Sequence, residues 1–113
     1  MLLRALERED PRTSSPARDT DLAAWRERID LLDQAILHLM NERARCANEI
    51  GHIKKLLGMP IYVPSREDEV LQNVRDSNPG PLPDHAVRHL FERIIDETRS
   101  LERQQFQDES DDV

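Results

Sequence analysis

An apolar stripe of helical period constrains this chain more than any other feature. Trp25, Ile29, Leu32, Ile36, Leu39, Arg43, Cys46, Ile50, Ile53 and Leu57 succeed one another in alternating steps of four and three residues. That is the period of a helix lying along other helices. A helix from about Asp21 to Leu57 measures roughly 54 Å at 1.5 Å per residue, and it requires neighbours along its whole length. One member of the stripe is out of character. Arg43 stands where leucine would pack better, and a guanidinium stays charged in a protein, so burying it demands an anionic partner. Either the chain supplies that anion or a ligand does.

The rest of the chain predicts two further helices and no strand, an all-α fold of three helices. Gly58 and Pro60 end the first. A short extended link follows, and Ser65 with Asp68 three residues on reads as a capping box opening a second helix, with Val70, Leu71 and Val74 on one face. The run from Ser77 to Pro83 holds three prolines and a glycine and is a loop. A third helix is expected from Asp84 to Phe106, with Val87, Phe91, Ile94, Thr98, Leu101 and Gln105 along its seam.

Residues 1–20 and 107–113 lack periodicity and are rich in polar residues, so both are expected to be disordered. The core is then residues 21–106, a single domain with few aromatics. A monomer of that size packs thinly, and oligomerisation is the usual remedy.

The formal charge is −7, which argues against nucleic acid as a partner. The acidic tail carries much of it. The single Cys46 permits no intrachain disulfide and lies on the stripe, where a buried, reduced thiol is expected. No run reaches membrane-spanning length and no signal or transit peptide is recognisable, so a cytoplasmic location is expected.

Four polar residues sit on faces expected to be buried: Arg43, Lys54, Thr98 and Glu102. Arg43 and Lys54 are eleven residues apart, three turns plus about 20°, so they share a face. Thr98 and Glu102 are one turn apart and share another. Each has an ordinary reading. Arg43 can pair with Glu42 or Glu49, Lys54 can be solvated, Thr98 can bond its own helix, and Glu102 can pair with Arg99 or Arg103. Together they point to a polar site inside a helical bundle. His85 and His89 have a metal-compatible spacing, but Ala86 stands where a zinc protease needs its glutamate, and no metal is expected.

The chain resembles the all-helical, type II chorismate mutases over roughly Leu22 to Glu102. The resemblance is carried by Trp25-Arg26-Glu27-Arg28-Ile29-Asp30 with Asp33, then Asn41-Glu42-Arg43, then Gly51-His52-Ile53-Lys54. It continues through Tyr62-Val63-Pro64-Ser65-Arg66-Glu67 and the stretch from Phe91 to Glu102. It implies an intertwined homodimer of three-helix chains with two sites, each drawing on both subunits. Arg26 of the partner chain, Arg43 and Arg66, with Thr98, would bind the two carboxylates of chorismate. Glu67, assisted by the backbone at Val63, would accept the ring hydroxyl, and Lys54 and Glu102 would donate to the ether oxygen. Independent geometry agrees about Arg26. It lies seventeen residues before Arg43, about 25 Å along a straight helix and some 100° around it, too far for both to grip one small dianion.

The implied reaction, chorismate to prephenate, is unimolecular and pericyclic and needs no nucleophile, metal or cofactor. It needs orientation of a flexible side arm and stabilisation of charge growing on the ether oxygen. Two departures stand out. Val63 replaces an aspartate found in many relatives, and Glu102 stands where others have Gln or Glu. A carboxylate cannot donate a hydrogen bond, so Glu102 must be protonated to help. Two rival functions share much of this pattern: an isochorismate pyruvate lyase of the same fold, and a non-catalytic helical module that binds an aromatic-pathway enzyme.

Overall fold

The computed structural model describes residues 8–111, with side chains from 8 to 104. It contains α1 (Asp19–Leu57), α2 (Pro64–Asp76) and α3 (Asp84–Asp111), with no strand among the described residues. One very long helix and two shorter ones match the all-α expectation. The chain divides into two compact units, Met1–Glu42 and Arg43–Val113.

In the N-terminal unit, α1 begins at Asp19, slightly ahead of the expected start. The Asp21 carboxylate accepts the Arg18 N–H at 2.8 Å, which is the reciprocal half of a capping box. It also accepts the Ser14 N–H at 3.0 Å and the Ser14 hydroxyl at 2.9 Å. The bond from the Arg18 N–H, with those from Ser14, holds the Asp21 carboxyl below its ordinary value. Trp25 Nε1 donates to Thr13 Oγ1 at 3.0 Å, and Arg28 Nε lies 3.7 Å from Asp10. Residues 10–14 of the expected disordered extension are thus tied to the first turns of α1. Residues 1–7 lie outside the described residues.

In the C-terminal unit, α1 ends at a left-handed glycine. Gly58 has φ 68°, its N–H bonds the Lys55 carbonyl, and the Met59 N–H bonds the Lys54 carbonyl at 2.8 Å. That pair of bonds is a Schellman cap. The second helix starts differently from expectation. Pro64 occupies its first turn, Val63 is the N-cap, and no side chain caps it. The Ser65–Asp68 box does not form, because Pro64, with its helical φ, starts the helix one residue earlier and leaves Ser65 inside the first turn. Helices α2 and α3 pack on each other, and Leu71 and Val87 are buried, as is Ala47 of α1. No Gly or Pro interrupts 84–111, so α3 continues past Phe106 to Asp111. The last two residues lie outside the described ones.

The stripe itself is largely uncovered. Ile29, Ile36, Leu39, Ile50 and Ile53 are each 50–55% exposed. The buried residues of α1 are Ala35, Ala47 and Gly51, which stand beside the stripe. Cys46, expected to be buried, is exposed as well.

Candidate active site

Helical spacing brings the polar residues together as the sequence requires. A cavity of about 360 Å³ opens in the C-terminal unit, lined by Arg43 and Lys54 of α1, Val63 of the link, Arg66 and Glu67 of α2, and Thr98 and Glu102 of α3. Seven of the eight predicted site residues are therefore in one place. Arg26, in the N-terminal unit, is not among the lining residues. Ile50, Ile61, Val70 and Ile95 supply apolar wall, and Cys46 also faces the cavity.

Arg43 Nη1 donates to Thr98 Oγ1 at 3.1 Å, and the Thr98 hydroxyl donates to the Ile94 carbonyl at 2.8 Å. The threonine therefore does both things its position allowed: it bonds its own helix and orients the arginine. Lys54 Nζ donates to the Ile61 carbonyl at 2.9 Å, which fixes the ammonium against the link and leaves two N–H groups for other acceptors. Arg66 is exposed and pairs with Glu69 one turn along its own helix.

Glu102 is a half-buried carboxyl of the site. It lies across Gly51, where an added Cβ would sit 3.5 Å from Glu102 Cγ. Desolvation pushes its pKa up, and the charges of Lys54, Arg43 and Arg99 oppose the rise without cancelling it. The carboxyl consequently holds its proton more tightly than a solvated glutamate does.

Arg99 does not take the ordinary pairing with Glu102 that its position allowed. Its Nη2 bonds Glu67 Oε1, Asp96 lies 3.7 Å away, and its guanidinium stacks 4.5 Å from the centroid of Tyr62. Arg99 and Tyr62 are the members of this cluster that the sequence reading did not place in the site. For Arg99 a signal was present, since it precedes Glu102 by three residues on the same helix. Tyr62 lies in the link, where no periodicity assigns a direction.

Four cations (Arg43, Lys54, Arg66 and Arg99) thus line the cavity with two carboxyls, one of which favours its neutral form. That balance suits a small dianion, with apolar walls to enclose its body. Among the described residues, no group of three or more His, Cys, Asp and Glu side chains is placed to hold a metal. No helix there is long and apolar enough to cross a membrane.

Residues 25–103 match the family described as chorismate mutase type II. The chain is 42% identical over 85 residues to a bifunctional chorismate mutase/prephenate dehydratase of Neisseria gonorrhoeae, covering 75% of this chain and 23% of that protein. It thus spans about a quarter of the bifunctional relatives it matches. A chorismate mutase of Methanocaldococcus jannaschii is 32% identical over 84 residues, covering 74% of this chain and 85% of that one. Among solved structures, the form II chorismate mutase of Thermus thermophilus superposes with a TM-score of 0.73 at 40% identity, over 74% of this chain and 96% of that one.

Proposed function

The chain belongs to the type II chorismate mutase family, and from that premise we propose that it rearranges chorismate to prephenate in the cavity between Arg43, Lys54, Arg66, Glu67, Thr98 and Glu102. The observation that carries the reading is the charge pattern of that cavity. Cations line it, and one carboxyl, Glu102, is held toward its neutral, hydrogen-bond-donating form beside Lys54.

The roles follow from what each group can do. Arg43, aimed by Thr98, binds one substrate carboxylate, and Arg66 leaves Glu69 to bind with it. Bidentate guanidinium–carboxylate pairing fixes orientation as well as charge. That orientation folds the enolpyruvyl arm over the ring, which removes most of the entropic part of the barrier. Glu67, with the backbone at Val63, accepts the ring hydroxyl. Lys54 and protonated Glu102 donate to the ether oxygen. As the carbon–oxygen bond breaks, negative charge grows there, and donors already in position stabilise it without reorganising. No proton changes hands and no covalent intermediate forms.

The site is completed by a second copy. Arg26 does not line the cavity of its own chain, and the half-exposed stripe of α1 is an uncovered helical seam. Pairing two chains along it would cover Ile29, Ile36, Leu39, Ile50 and Ile53 and bring the partner's Arg26 into reach. The working protein is then a cytoplasmic homodimer, with an aromatic-pathway enzyme as a further partner. The bifunctional name of the Neisseria gonorrhoeae relative, which couples mutase to prephenate dehydratase, supports such a partnership.

The test is direct. Purified protein should consume chorismate and yield prephenate, and Arg43→Ala should lose most of that activity. Release of pyruvate from isochorismate, with chorismate untouched, would establish the lyase. Inertness toward both, with no binding of a transition-state mimic, would establish a non-catalytic module.

A further inference from the structure

Arg99 sits in the cavity wall with its contacts arranged around one neighbour. Its side chain is 24% exposed and that of Glu67 is 26% exposed, so their ion pair is largely withdrawn from water. The pair joins α3 to α2. The guanidinium lies on Tyr62 at 4.5 Å, which restricts its plane, and a planar fork held in one plane holds the carboxylate it binds in one plane too. Its bond to Glu67 takes Oε1. A carboxylate has acceptor capacity on both oxygens, so a Glu67 clamped through Oε1 presents Oε2 in a fixed direction.

We propose that Arg99 is a positioning residue of this site: stacked on Tyr62, it orients the Glu67 carboxylate to accept the substrate's ring hydroxyl. The inference rests on the mutase reading, in which Glu67 binds that hydroxyl. It assigns to Arg99 and Tyr62 a role in substrate binding. The ring hydroxyl gains no charge as the ether bond breaks, so an interaction with it is equally strong in ground and transition states. Such uniform binding appears in KM and leaves kcat alone.

The experiment compares wild type, Arg99→Gln, Glu67→Ala and the double variant by steady-state kinetics, on the acidic side of any activity loss caused by Glu102 ionisation. Arg99→Gln should raise KM about tenfold, the scale of one charge-assisted hydrogen bond misdirected, with kcat within about twofold. In the Glu67→Ala background the same substitution should change KM by less than about twofold, because nothing remains to be oriented. A chorismate analogue lacking the ring hydroxyl should bind wild type and Arg99→Gln equally. Arg99→Lys keeps the charge without the stacked fork, and it provides a second variant should the glutamine protein fold poorly. Its KM should rise about threefold, again only when Glu67 is present.

A merely structural ion pair would lower the melting temperature without distinguishing the two substrates. Equal KM increases in both backgrounds, equal losses on the analogue, or a fall in kcat at constant KM would each overturn the proposal while leaving the mutase reading intact. A wild-type protein that does not convert chorismate overturns both.

Discussion

Replacing Glu102 by glutamine separates a protonated donor from a permanent one. Glu102 is half-buried over Gly51, and burial raises its pKa against the opposing charges of Lys54, Arg43 and Arg99. On the proposed mechanism, only the protonated carboxyl can donate to the ether oxygen. Above its pKa the protonated fraction falls tenfold per pH unit, equivalent to about 1.36 kcal/mol of barrier for each unit. The fall has a floor, because losing one such donor costs about 10²–10³ in kcat. Log kcat should therefore decline with unit slope for about two to three pH units and then level. Glutamine donates through its amide at every pH, so Glu102→Gln should lack this limb. The sign of the stability linkage is the same. A carboxyl with a raised folded-state pKa contributes stability that is present at low pH and lost as pH rises through that pKa, and the glutamine variant should lack that dependence as well. The assay is the initial rate of chorismate loss at saturating substrate, followed upward in pH from the acid end of the range in which the protein stays folded. Superimposable profiles for the two proteins, or a wild-type rate that rises through this range, would refute the reasoning.

Other substitutions read other parts of the molecule. Gly51→Ala should raise stability by about 0.5–1 kcal/mol, since a mid-helix glycine is replaced where the nearest atom to the new Cβ is 3.5 Å away; a melting temperature that drops would show that contact to be tighter than it looks. Ile36→Lys discriminates between assembly states. On a monomer surface it should shift stability by no more than about 0.5 kcal/mol, whereas inside a dimer seam it leaves a buried, unpaired charge, so sedimentation equilibrium should show dissociation at micromolar concentration. Thr98→Val removes the hydroxyl that Arg43 bonds at 3.1 Å, and KM should rise about tenfold, the scale of one charge-assisted hydrogen bond, with little change in the far-ultraviolet circular dichroism.

Much of this architecture could be read from spacing alone. Steps of three and four residues identified α1 and its face, and the eleven-residue interval between Arg43 and Lys54 placed both on one wall. What spacing cannot convey is which of several competing bonds a side chain adopts. Arg99 had Glu102 available one turn away on its own helix, yet it bonds Glu67 of α2, because the Tyr62 ring beneath it favours that orientation. The start of α2 failed for a similar reason. Ser65 and Asp68 satisfy the capping pattern, but Pro64 begins the helix before they can act. Cys46 is exposed in the single chain, where the stripe it belongs to was expected to be covered. Periodicity reveals that a face needs a partner, but it does not say whether the same chain provides one.

Lys54 is attached to the turn after α1 at both of its ends. Its carbonyl accepts the Met59 N–H in the helix cap, and its ammonium donates to the Ile61 carbonyl. Surface connections of this kind ordinarily tolerate insertion and deletion. Here the length of the link from Gly58 to Val63 behaves as a ruler, because adding or removing one residue would shift the carbonyl that anchors the ammonium, and the lysine with it. With Lys54 acting as proposed, the spacing between the first two helices is a property of the chemistry as much as of the fold, and a loop with no reacting group of its own becomes a place where catalytic power can be lost.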